Sequence, residues 1–212
     1  MRAYAACLIL GLAGVADAAE WTCFLQQGAW PDKGYAGCRT ATLWSKAAKP
    51  TDGDKFLYLR GEDNRMLIRF DIPASLKGKA IARALLWVFL PKADKEDRYT
   101  EILCNGMTAA WGADATWAEA SAGKKWRHPG GDFDNQTNYH NGRFLGATDS
   151  YELYAHQQHP YWIPHMRRLP VSVPEGGLWV AFNVTPLAEK WLADPAANLG
   201  VMLSCDHADK RM

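Results

Sequence analysis

The sequence predicts an all-β chain, an antiparallel β-sandwich with one short helix near its C-terminus. Three observations point there. Apolar residues alternate over short runs, most clearly at Met66, Ile68, Phe70 and Ile72. A period of two marks a strand with one face in a core and the other, here Arg65, Leu67, Arg69 and Asp71, near solvent. Glycine, proline and asparagine punctuate the chain between these runs. With 212 residues, 48% of them hydrophobic, the chain is long enough for one full core.

Residues 1–18 read as a signal peptide. Met1-Arg2 is a short positive start, and Cys7 to Val15 is an apolar run too short to span a bilayer as a helix. Ala16-Asp17-Ala18 fits an A-x-A cleavage site, so the mature chain is expected to begin near Ala19. The competing reading is a buried N-terminal strand or helix. The expected destination is secreted, periplasmic or cell-surface, with residues 19–212 as a single domain and no membrane span. Of five cysteines, Cys7 lies in the leader. The other four, Cys23, Cys38, Cys104 and Cys205, suit disulfides in an exported protein. Cys23 with Cys38 and Cys104 with Cys205 is the preferred of three pairings.

Trp21 to Leu25 is the first strand of the mature chain, followed by a loop to Gly37. Thr40 to Trp44 is a short strand before a polar turn, and Phe56 to Leu59 another. The Met66–Ile72 strand should stop at Pro73, which cannot donate to a ladder. It is expected to form a hairpin with Ile81 to Leu90. That second strand is apolar on both rows, Ala82, Ala84, Leu86 and Val88 on one, Leu85, Trp87 and Phe89 on the other. Such a strand is covered on both sides or carries a binding surface. Asn105-Gly106 between Tyr99–Cys104 and Met107–Trp111 signals a further hairpin. Ala113 to Gly131 is loop-like, with Thr116-Trp117 and Trp126 as anchors, and 135–169 is a polar, aromatic, His-rich elaboration. Leu178 to Val184 is a strand. Thr185 then opens a helix, its hydroxyl placed to cap the first turn and Pro186 suited to the first helical position. Leu187 and Trp191 share one face of that helix. Asp194-Pro195 stops it, and Leu199 to Cys205 is the last strand. The expected core includes Met66, Ile68, Phe70, Ala84, Leu86, Val88 and Trp191.

Asp63-Asn64-Arg65 followed by Leu67-Ile68-Arg69-Phe70-Asp71 resembles the signature of the DNRLRE domain, which overlaps carbohydrate-binding module family 96. Further similarities follow in the family's order. They are Ile81-Ala82-Arg83-Ala84-Leu85-Leu86, Ala115-Thr116-Trp117, and Trp126 with Gly130-Gly131-Asp132-Phe133-Asp134. Val184-Thr185-Pro186-Leu187 with Trp191 and Asn198-Leu199-Gly200-Val201-Met202-Leu203 complete the set, over roughly residues 50 to 205. The resemblance implies a jelly-roll sandwich; some members of the family bind polysaccharides such as alginate, and many have no demonstrated ligand. The family's usual closing strand has no counterpart before Met212; either the sequence is truncated there or the 135–169 elaboration covers that edge.

The chemistry-bearing residues point to binding rather than catalysis. A formal net charge of +1 argues against a nucleic-acid binder driven by bulk charge. No G-x-S-x-G, H-E-x-x-H or phosphate-cradling loop is present. A polysaccharide lyase built on Tyr139, His140, Arg143, Tyr154 and His156 is the enzyme alternative, and a structural envelope or matrix module without a small ligand the third reading. Sugar rings stack their C–H faces on aromatic side chains while polar groups fix the hydroxyls. Trp87, Phe89, Trp126, Tyr161 and Trp162 are the candidate platforms, with Arg143 and Arg167 to meet uronate carboxylates. Asp132, Asp134 and Asn135 are a candidate calcium set, and His156, His159 and His165 a candidate transition-metal set.

Overall fold

The structure is a computed structural model that describes residues 2–3, 6–12, 21–29, 31–47, 57–58, 63–90, 101–134 and 178–206. The protein is mainly β. Its strands are β1 (Arg2–Ala3), β2 (Ala6–Leu12), β3 (Trp21–Leu25), β4 (Cys38–Trp44), β5 (Leu57–Tyr58) and β6 (Asn64–Phe70). There follow β7 (Ile81–Leu90), β8 (Glu101–Gly106), β9 (Glu119–Ser121), β10 (Lys124–Lys125), β11 (Leu178–Asn183) and β12 (Val201–Asp206). The α-helix α1 (Thr185–Ala193) joins the last two. One four-stranded antiparallel sheet has the order β11-β7-β2-β3, the other β4-β6-β12-β8.

Both sheets contribute to one buried cluster. Leu25, Ala84, Leu86, Val88 and Phe182 enter from the first, and Met66, Ile68, Phe70, Cys104, Val201 and Leu203 from the second. Leu187, Ala188, Trp191 and Leu192 add the apolar face of α1. Every core residue expected from the alternation lies here. Burial of side chains this size, at about 1.5–3 kcal/mol each, is the main force holding the sheets to the helix.

The expected hairpin between β6 and β7 does not form, because the two strands lie in different sheets. Residues 71–80 carry the chain across, through Pro73, the 3₁₀ turn Ala74–Leu76 and Gly78 at φ 72°. Leu76 is buried in the shared cluster, and the Gly78 N–H donates to Leu192 O at 3.1 Å, tying the crossing to the end of α1. The Asn105-Gly106 hairpin is also absent. Both residues continue β8, opposite Met202 and Val201. The Asn105 side chain is buried and donates to Asp134 O at 3.0 Å. A Cβ on Gly106 would stand 3.0 Å from Leu187 Cδ2, so glycine serves the close approach of α1 rather than a turn. Thr185 differs too. Its Oγ1 accepts from Ala84 N at 2.9 Å and donates to Asn183 Oδ1 at 2.5 Å, linking the helix start to β7 instead of capping the first turn.

The outer face of β6 is not left to solvent as expected. Leu67 is fully buried in a second cluster with Ala41, Leu43 and Met202 from the sheet and Met107, Trp111, Ala115, Ala120 and Trp126 from the segment that covers it. That segment is stapled at its ends by the Met107–Phe133 bridge and by Thr108 N donating to Asp132 O at 3.0 Å. Arg65 pins its far end. Nη1 donates to Gly130 O at 2.7 Å, and the guanidinium lies 5.0 Å from the Trp117 ring centre and 5.3 Å from that of Phe133. Gly130 sits at φ 91°, and a Cβ there would meet Arg65 Nη1 at 2.7 Å, so only glycine lets the chain lie this close.

The expected disulfides are not formed. Cys23, Cys38 and Cys104 are free thiols. Cys104 faces Leu203 across the ladder, and Cys205 faces Ile102. Such diagonal neighbours stand about 7–8 Å apart, beyond the reach of a relaxed disulfide. Cys23 and Cys38 lie on strands of different sheets, so no ladder draws them together.

Part of the segment read as a leader is a strand in the full-length chain. Ala6–Leu12 is a strand between β7 and β3, antiparallel to both. Among the described residues no helix is long and apolar enough to cross a membrane.

Candidate functional site

The site grows from the end of the β4–β6 ladder, where Trp44 faces Asn64. Beyond this pair the chain turns. Ala47 N donates to Trp44 O at 3.0 Å, and Ser45 N donates to Asp63 O at 2.9 Å. The Asp63 carboxylate ties the turn from the β6 side, accepting from Ser45 Oγ at 3.1 Å and pairing with Lys46 Nζ at 3.0 Å. Both charged groups are more than half exposed, so the pair contributes little to stability. Its effect is to hold a donor and an acceptor in the turn that carries Trp44.

Trp44 is 43% exposed, the one large hydrophobic side chain left in solvent among the described residues. Its neighbour Leu43 is fully buried, so the strand is anchored one residue before the indole emerges. The exposed indole stands at the strand end, and the Lys46–Asp63 pair lies in the turn that follows it. The sequence reading treated Trp44 as the end of a strand. The available signal was the change from apolar strand to Ser45-Lys46 directly after a tryptophan.

The expected candidates lie elsewhere. Trp126 is buried in the second cluster, and its Nε1 donates to Thr116 O at 2.8 Å, so its ring and its donor are both engaged inside the fold. Trp87 is in β7, opposite Cys7 and Ala181, and is 7% exposed. Its indole N–H is buried and meets no acceptor among the described residues. Phe89 is in β7 opposite Trp179. Arg143, Tyr161, Trp162 and Arg167 lie outside the described residues, as do the lyase residues, the three histidines and Asn135.

Asp132 is a loop anchor. One carboxylate oxygen accepts from Arg127 N and the other from His128 N, both at 2.9 Å. Burial works to raise its pKa, but these two bonds, with the His128 and Arg127 charges, outweigh it and hold the carboxyl below its ordinary value. The Asp134 backbone serves the same loop, its N–H donating to Gly106 O at 2.9 Å and its carbonyl accepting from Asn105. Among the described residues no three His, Cys, Asp or Glu side chains converge on a metal position.

No family model, curated protein or solved structure matches this chain.

Proposed function

We propose that the protein is an exported, non-catalytic module that binds an extracellular polysaccharide through an aromatic platform at the rim of a jelly-roll β-sandwich. The exposed Trp44 indole beside the Ser45-Lys46-Asp63 turn carries the reading. The leader-like residues 1–18 and the resemblance to carbohydrate-binding modules support it. Stacking supplies affinity, and the turn's charged pair supplies hydroxyl contacts. With a net charge of +1, long-range attraction to an acidic glycan adds little.

A structural module without a small ligand is the second reading. It is favoured by the burial of Trp87 and Trp126, which withdraws two aromatic faces from solvent. Glycan arrays carrying neutral and uronate-containing polysaccharides separate the two. The binding reading expects retention that falls about 5- to 150-fold in Trp44→Ala, the effect of losing an anchor worth about 1–3 kcal/mol. The variant should stay folded, its melting temperature falling only as far as the buried part of the ring accounts for. Retention of no polysaccharide by the folded protein leaves the structural module in its place.

A further inference from the structure

The position held by β2 is unusual for a leader. Ala6–Leu12 lies inside a sheet, bonded to β7 on one side and to β3 on the other. The walls of that position belong to the main core. Leu8 stands opposite Leu86 and Leu25, and Leu10 opposite Ala84 and Cys23. Leu25, Ala84 and Leu86 are at most 2% exposed. Without a strand here, the facing N–H and C=O groups of β7 and β3 lose their partners. Yet the link from Leu12 to β3 contains the Ala16-Asp17-Ala18 motif. Cleavage after Ala18 leaves Ala6–Leu12 bound by no covalent tie.

We propose that this position is an exchangeable strand site, which after cleavage accepts an extended apolar segment of another polypeptide. The inference rests on the export reading for the cleavage alone. The ladder partners state what fits. The occupant runs antiparallel to both β3 and β7 and matches the length of Ala6–Leu12. It is apolar at the alternate positions facing Leu25 with Leu86 and Cys23 with Ala84. It carries no charge on that row, because a charge there would be buried among the core residues. Main-chain bonds supply the affinity and the alternate side chains the selectivity, as in strand addition generally. Arg83, exposed and opposite Gly11, belongs to the outer row, and beyond it the ladder pairs Leu12 with the buried Ile81, so the core row asks for apolar side chains to that end.

The test uses the full-length chain with a protease recognition sequence in place of residues 13–18. It is cut, then mixed with a fluorescent Ala6–Leu12 peptide flanked by lysines. Anisotropy is expected to show uptake by the cut chain at least ten-fold above the uncut chain, whose position is filled. A peptide carrying Leu8→Lys and Leu10→Lys should not be taken up. Where cutting costs the fold, the unmodified peptide should restore the melting transition. Equal uptake by cut and uncut chains, equal uptake of the lysine-substituted peptide, or a cut chain that neither binds nor is restored overturns the proposal. Intact mass of the exported protein, beginning at Ala19 or at Met1, reports on the export reading alone.

Discussion

Arg65→Ala tests how the outer cover is held on the second sheet. The substitution removes the 2.7 Å bond from Nη1 to Gly130 O and both ring contacts, at 5.0 and 5.3 Å. A hydrogen bond from a charged donor contributes about 1.5–3 kcal/mol. A guanidinium over an aromatic ring adds about 0.5–2 kcal/mol, depending on desolvation. The contacts share one side chain and do not add in full, so the expected loss is about 2–4 kcal/mol. Urea unfolding followed by tryptophan emission measures it. Arg65→Lys keeps the charge but not the planar fork, and should recover less than half of the loss. A double-mutant cycle with Trp117→Leu isolates the ring contact and should give a coupling of at least about 0.5 kcal/mol. An Arg65→Ala variant within about 0.5 kcal/mol of the parent, the scatter of ordinary surface substitutions, refutes the reasoning, and the cover is then held by its apolar contacts alone.

Asp132→Asn leaves one of two backbone donors without its acceptor and should cost about 1–2 kcal/mol at pH 7. Because the folded carboxyl titrates below its ordinary value near 3.8, its contribution is present above that pH and lost as pH falls through the folded pKa. The gap between variant and parent in urea midpoint should therefore close toward low pH, and an equal gap at both ends contradicts the assignment. Gly200→Ala forces φ 81° on an L-residue and sets a Cβ 2.5 Å from Ile68 O, a backbone atom that cannot yield. A loss of more than about 2 kcal/mol is expected by calorimetry, and a neutral result argues against the close approach. Burial, then the Asp71 charge, pushes the Cys38 thiol up to about 12, and burial alone raises Cys104. Neither should react with a thiol reagent at pH 8 until the protein is unfolded, so rapid native labelling of either contradicts their placement.

Strand positions and the inward row of β6 and β7 were legible because the pleat alone writes them into the sequence. Partnership was not. The Met66–Ile72 and Ile81–Leu90 runs look like a hairpin locally, and only the seating of Leu76 and Gly78 against α1 sends them to different sheets. Asn105-Gly106 carries a strong turn signal, overridden because Gly106 is needed where Leu187 packs. Leu67 read as solvent-facing because nothing near it in sequence announces the cover that arrives some forty residues later. Trp44 was passed over for a similar reason. Its local pattern matches any strand end, and its exposure depends on where the sheet's rim falls.

The place of β12 bears on when the protein can fold. This strand, the last in the described chain, lies between β6 and β8, pairing with both. Until residues 201–206 have left the ribosome, β6 and β8 have no common neighbour and both clusters lack a wall, since Val201 and Leu203 belong to one and Met202 to the other. Closure of a chain synthesised from its N-terminus therefore waits on residues 201–206 and on contacts distant in sequence, which form slowly. For the export proposed above, late closure is an advantage, because it keeps the chain in a state a narrow channel can pass.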